Sequence, residues 1–374
     1  MAFGFETTGD EIVDIFKDQV NGKTSSSQIL VLITGPTPGG IGAESALCLA
    51  RATPKHLILA GRSRQKIHPL IDQVQDIDPR VKTSFIQLDL GSQKSVRQAV
   101  EAVKALLAGE DEVDCVILNA AIMACPYGLT EDGIETQFGT NHLGHFLFSN
   151  LLLKDDLIRS RVIIVSSSAS ERMAEYAFQP LTDITYSNGS TYDPMLAYTF
   201  SKACSVLYGK RLARLLKQKH HKNIAVFSLN PGSIRTNLQG YMSDDVRSRA
   251  IEAARRYNPE FEIPRLKSLQ QGCATQLRAA LDPALADHSG AYLDDCQVAR
   301  VGVHEGHEKY MDEVWELSER LVGEEFELST SAWKEGRRDS AKASSLILPP
   351  DITRLPVSPL LRTGGTQKGD GKPS

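Results

Sequence analysis

Thr34-Gly35-Pro36-Thr37-Pro38-Gly39-Gly40-Ile41-Gly42 closes a short β-branched run, Ile29–Ile33, and leads straight into a helical pattern over Ala43–Ala52. Glycines let a backbone come close to a ligand, and a helix start offers unpaired N–H groups with a dipole that favours an anion. A glycine cluster by itself marks only a loop. Set between a strand and a helix, it predicts a turn that cradles the phosphates of a nucleotide. Pro36 and Pro38 stiffen that turn.

Outward from the turn the chain alternates. Further short apolar runs occur at His56–Leu59, Ser84–Leu88, Val113–Leu118, Val162–Val165 and Ile224–Leu229, with another strand expected near Gly290–Leu293. Helical patterns lie between and after them, at Gln93–Ala108, Ile134–Leu153, Tyr198–Lys217 and Met311–Val322. Continuous apolar strands separated by amphipathic helices predict an α/β fold, a doubly wound parallel sheet of about seven strands covered on both faces. Residues 28–325 are expected to form this domain. Residues 1–27 read as an acidic helical extension ending in a serine-rich joint. Residues 326–374 read as a tail without fixed structure, rich in Pro, Ser and Gly.

Bulk properties narrow the classes. A net charge of −4 with no basic stripe gives no reason to expect nucleic acid. No apolar run is long enough for a membrane span. The start, MAFGFETTGDEIVDIF, carries acidic residues where a signal peptide needs a positive charge. The six cysteines, at 48, 115, 125, 204, 273 and 296, include no C-x-x-C and lie largely in apolar runs. They read as reduced core thiols, which suits a reducing cytoplasmic setting.

The second strand ends Leu59-Ala60-Gly61-Arg62, where an NAD site of this type places an acidic residue on the ribose 2′-hydroxyl. Arg62 stands near that point, followed by Arg64 and Lys66. A guanidinium suits a 2′-phosphate, so the expected cofactor is NADP(H). Tyr198-x-x-x-Lys202 sets a phenol and an ammonium on one helix face. A neighbouring cation lowers a phenol's pKa, so this pair is expected to make an acid/base catalyst. Asn141 lies in an otherwise apolar helical pattern, a costly place for an amide without partners. Ser166-Ser167-Ser168 follows the Val162–Val165 run, where hydroxyls face a cleft at the strand's end.

Together these marks resemble the short-chain dehydrogenase/reductase superfamily, in its retinol-dehydrogenase-like branch. They are Thr34-Gly35…Gly40-Ile41-Gly42, Arg62, Asp89-Leu90, Asn119-Ala120, Asn141-His-Leu-Gly144-His-Phe, the serine cluster, Tyr198-x-x-x-Lys202 and Asn230-Pro-Gly232…Thr236. FGFETTGDE and Gly290–Cys296 are also similar to uncharacterised fungal members, which are often found in secondary metabolism. The resemblance implies that Gly35, Gly40, Ile41 and Gly42 line the pyrophosphate. Asp89 would contact the adenine amino group, Leu90 the ring, and Asn119 would steady the central strand. Pro231, Gly232 and Thr236 would sit near the nicotinamide. By the same resemblance Tyr198 gives the proton, Lys202 lowers its pKa and holds the cofactor ribose, Ser167 donates to the substrate oxygen, and Asn141 positions a water. Two departures stand out. Ala121 replaces the glycine usual after Asn119-Ala120, which puts a methyl near the nicotinamide ribose. The phosphate turn is one residue longer than usual, so Gly39 and Gly40 compete for one role.

The expected activity is interconversion of a carbonyl and an alcohol. Thirty residues separate Ser167 from Tyr198, and Phe178, Tyr186 and Tyr192 there would give apolar surface over the site. Gln239–Lys267 reads as an amphipathic lid helix. A mid-sized, partly apolar substrate is therefore expected. Alternatives are a dehydratase or isomerase on the same fold, or a non-catalytic NADP(H)-binding regulatory protein. Relatives pair through helices matching Ile134–Leu153 and Tyr198–Lys217, and monomers occur too, so a homodimer is one option. His304-Glu-Gly-His307 lacks a partner cluster in the sequence, so no metal is expected.

Overall fold

The computed structural model describes residues 3–22, 28–107, 112–218, 224–257, 259–300 and 302–326. The expected tail lies outside these residues save for Phe326, as does the serine-rich joint. Ten strands lie among the described residues: β1 Leu30–Thr34, β2 His56–Gly61, β3 Lys82–Gln87, β4 Val113–Leu118, β5 Ile158–Val165, β6 Ala225–Leu229, β7 Ser233–Ile234, β8 Leu266–Lys267, β9 Tyr292–Asp294 and β10 Gln297–Val298. The helices are α1 Gly9–Ile15, α2 Lys17–Asn21, α3 Ile41–Ala50, α4 Arg64–Ile77, α5 Gln93–Leu107, α6 Thr136–Phe138, α7 Gly144–Lys154, α8 Ala174–Ala177, α9 Pro194–Gln218, α10 Asp244–Tyr257, α11 Leu269–Leu281 and α12 Met311–Val322.

Eight strands form one sheet in the order β10-β9-β6-β5-β4-β1-β2-β3. All pairings are parallel except β9 with β10. The sequence reading of about seven strands omits β10, a two-residue return after a tight turn at Asp295 (φ 45) and Cys296 (φ 59). Successive strands leave β1 in opposite directions, so the ends of β1 and β4 flank the crevice where ligands bind in open α/β sheets.

Strand period 2 divides the core. Leu30 and Leu32 face α5, α7, α9 and α12, while Val31 and Ile33 face α1, α3, α4 and α11. Every residue of β1 and β2 is buried, which explains their unbroken apolar runs. Fully burying each such Val, Leu or Ile is worth about 1.5–3 kcal/mol relative to exposure. The N-terminal segment is two helices broken at Phe16, rather than one, and Thr8 starts α1 with a capping box to Glu11. Its Ile12, Val13 and Val20 lie in the second core. The expected helix over Ile134–Leu153 starts later and is interrupted by a π turn, Gly139–Leu143. All six cysteines are buried and unbridged. No helix among the described residues is long and apolar enough to cross a membrane.

Candidate active site

The glycine turn is built by β1 and α3. Gly35 (φ 64) and Gly39 (φ 78) hold left-handed backbone, which glycine adopts without strain. That separates the two competing glycines: Gly39 makes the bend, and Gly40 is the helix cap, at φ −115. Among the described residues no side chain caps α3, which leaves its first N–H groups to an anion. A Cβ on Gly42 would run into the Asn119 side chain. This donor set fits the pyrophosphate of a dinucleotide.

Thr34 ties the two strand ends together. Its Oγ1 accepts from Asn119 N (2.9 Å) and Ala120 N (3.0 Å) and bonds His145 Nε2 (2.9 Å). Asn119 Nδ2 donates to Thr34 O at 2.9 Å, and its buried Oδ1 has no hydrogen-bond partner among the described residues. Beside the turn, Gly35 N donates to Ala60 O (2.7 Å), so Gly61 and Arg62 lie next to it. The Arg62 side chain is exposed, and its carbonyl accepts from Gln87 Nε2 at 2.8 Å. Asp89 is half-buried and accepts from Gly91 N (3.0 Å), while Leu90 is buried. Ile41 and Ala121 are half-buried.

Asn141 sits in the π turn. Its Oδ1 accepts from Ile122 N (2.8 Å), and its Nδ2 donates to Ile122 O (2.9 Å) and Ser201 Oγ (3.0 Å). The amide thereby joins the segment after β4 to α9, and its partners offset the cost of burial. Its own carbonyl accepts from His145 Nδ1 at 3.1 Å. His142 and His145 are buried, and burial takes both down to about 3, so they pack as neutral rings.

The three serines diverge. Ser166 donates to Lys202 O (2.9 Å), Ser168 is exposed, and Ser167 Oγ accepts from Ala169 N (3.2 Å) while lying close enough to the Tyr198 phenol to lower its pKa. Tyr198 and Lys202 are 4% and 2% exposed. Here the sequence expectation is corrected. Burial pushes the Tyr198 phenol up to about 12, with the Ser167 hydroxyl pulling the other way. Burial also pushes the Lys202 ammonium down to about 7. The ammonium donates to Val165 O at 2.9 Å and lies 5.9 Å from the phenol's ring centre. Desolvation is the largest cause of the shift in both groups.

Two further features escaped sequence reasoning. The Ser167 carbonyl accepts from Ser170 Oγ (2.7 Å) and lies 3.3 Å from Tyr292 Oη. Tyr292 Oη also lies 2.9 Å from Glu171, a carboxyl that burial raises to about 7. Its one proton serves one acceptor at a time: Glu171 when that carboxyl is ionised, the Ser167 carbonyl when it is protonated. Ser170 in turn meets His304 Nε2 at 3.1 Å, and His307 Nε2 bonds Arg172 O.

The second feature is the apolar roof. Phe178 packs in the core against Phe200 and Tyr310, Tyr186 is buried, and Tyr192 bonds Glu135 and Gln137. These contacts hold the segment in place, with Phe178 and Tyr186 buried and Tyr192 half-buried. Met123, Ala124, Met195, Leu238, Met242 and Val246 cluster on Tyr198. Val246 belongs to α10, whose four arginines, at 247, 249, 255 and 256, are exposed. Gly232 (φ 90) and Pro231 precede β7, and Thr236 caps the next turn by accepting from Leu238 N.

Known proteins have the same organisation. The family model described as short chain dehydrogenase matches residues 30–179. The chain is 32% identical to short-chain dehydrogenase TIC 32 A of Brassica napus, over 82% of this chain and 92% of that protein. It is 32% identical to human retinol dehydrogenase 11, over 80% of this chain and 88% of that one. A crystal structure of an uncharacterised protein from Mycobacterium paratuberculosis aligns with a TM-score of 0.58 at 29% identity, covering 82% of this chain and 99% of that one. On its fold, its motif order and these similarities, the chain belongs to the short-chain dehydrogenase/reductase superfamily, in the retinol-dehydrogenase-like branch.

Proposed function

We propose that this oxidoreductase uses NADP(H) to interconvert a carbonyl and an alcohol on a mid-sized, partly apolar substrate. The observation that carries the reading is Tyr198 buried under an apolar roof within the influence of the Ser167 hydroxyl, with Lys202 one helical turn on. Nicotinamide, when bound, supplies or takes the hydride. Ser167 and Tyr198 present two hydroxyls to a substrate oxygen that gains negative charge during reduction. Tyr198, held near 12, stays protonated at neutral pH and is ready to donate. Reduction therefore needs no prior ionisation of this residue, whereas oxidation needs the phenolate and gains as pH rises. Lys202, near 7, is partly charged at neutral pH and stabilises the phenolate left by proton donation. Asn141 fixes the segment after β4 against α9. Exposed Arg62, beside the glycine turn, is the group suited to a ribose 2′-phosphate.

The test is absorbance of reduced nicotinamide with NADPH or NADH and a panel of ketones and aldehydes. Faster turnover with NADPH and apolar ketones is expected. Turnover confined to small polar aldehydes, or a preference for NADH, would overturn the corresponding part of the proposal.

A further inference from the structure

The N-terminal segment ahead of α1 lies across the base of the α10 region. β7 and β8 pair as a two-stranded ladder, Ser233 with Leu266 and Ile234 with Lys267. Everything between them, α10 included, leaves and re-enters the fold through this neck. Phe5 sits on the returning strand: Arg265 lies 4.6 Å and Lys267 5.0 Å from its ring centre. Glu6 pairs with Arg265 at 2.7 Å and accepts from Gln271 Nε2 at 2.7 Å. Phe3 adds a third contact, with Arg278 at 4.6 Å from its ring and Gln297 Nε2 donating to its carbonyl.

Lys267 makes this more than surface packing. Its side chain is 1% exposed, and its ammonium forms an ion pair with Asp295 at 2.5 Å without an aligned hydrogen bond. A cation so enclosed needs compensation, and the face of Phe5 supplies part of it. The stem of Lys267 lies against Gly232, where an added Cβ would come within 2.7 Å of Cδ. Phe5, Lys267 and Gly232 thus form one stack that runs from the N-terminal segment to the Pro231-Gly232 turn.

We infer that Phe5 is a positioning residue that, through Lys267 and Arg265, holds the neck of α10 and the Pro231–Thr236 segment in the arrangement that closes over Tyr198. Its effect on cofactor affinity rests on the proposed oxidoreductase reading. Its effect on α10 does not.

Two readouts separate these on the full-length protein. The first is trypsin cleavage after the exposed arginines of α10, without nucleotide. The second is NADPH affinity by quenching or enhancement of nucleotide fluorescence. Phe5→Ala should be cut about 3- to 10-fold faster and bind NADPH about 3- to 10-fold more weakly, with its thermal midpoint little changed. Phe5→Tyr, which keeps the ring face, should restore both. Phe5→Leu, which keeps only apolar bulk, should not. Arg265→Gln probes the same contact from the other side and should also speed cleavage. Wild-type cleavage and affinity in Phe5→Ala would overturn the inference, as would full rescue by Phe5→Leu. Failure of the wild-type protein to bind NADPH or NADH would count against the oxidoreductase reading, and the cleavage comparison would still decide the clamp.

Discussion

Lys202→Met should make the protein more stable at low pH, and the gain should shrink as pH rises. In the folded state burial lowers the Lys202 ammonium from 10.5 to about 7, which corresponds to about 5 kcal/mol against the charged form. A lysine whose folded pKa lies below its unfolded pKa binds fewer protons when folded. Wild-type stability therefore rises with pH between about 7 and 10.5 from this group. At pH 6 nearly all of the penalty stands. By pH 9 the folded lysine is neutral and about 2 kcal/mol remains, the work of deprotonating the unfolded side chain. Methionine keeps the length and loses the charge, but leaves Val165 O without the donor now at 2.9 Å, a loss of about 1–2 kcal/mol. The net gain is then about 3 kcal/mol at pH 6 and near zero at pH 9. Tyr198, raised to about 12, acts in the opposite direction only above pH 10, outside this window. Urea unfolding followed by far-UV circular dichroism at pH 6 and pH 9 measures the difference. A gain that does not change with pH, or a variant less stable than wild type at pH 6, would refute the reasoning.

Arg62→Ala should weaken NADPH by about 10- to 100-fold, the loss of one charge-assisted contact, and NADH by much less. Equal losses in nucleotide titrations would remove the 2′-phosphate assignment. Gly144→Ala should destabilise the fold by about 1–3 kcal/mol in urea titrations, because its Cβ would collide with the Leu90 backbone. Wild-type stability there would mean that the contact gives way easily. Tyr292→Phe removes the hydroxyl between the Ser167 carbonyl and Glu171. It should cost about 1–2 kcal/mol in stability and lower kcat more than it changes KM, and an unchanged kcat would show that Ser170 alone holds Ser167.

The parallel sheet was legible because β1 and β2 are enclosed on both faces and so read as near-continuous apolar runs. The glycine turn was legible because it lies between a strand and a helix. Other features left weak local traces. The β9–β10 return uses Asp295 and Cys296 at positive φ, where Asn-Gly would have announced a turn. The π turn at Gly139–Leu143 runs directly into α7, so no break in the sequence pattern separates the two. Phe178 and Tyr186 carry the composition of a substrate wall, and only tertiary packing shows that they are buried. The Met195 and Met242 contacts with Tyr198 join distant segments, which no local period reveals. Residue types indicated an activated phenol, yet the balance between charge pairing and desolvation depends on burial, which spacing does not report.

Nucleotide binding and turnover compared in Tyr198→Phe bear on the central assignment most directly, because phenylalanine keeps the ring and removes only the transferable proton. The account predicts NADPH affinity within about threefold of wild type together with loss of carbonyl reduction by about 100-fold or more. Reduction that continues at a wild-type rate in that variant would contradict it.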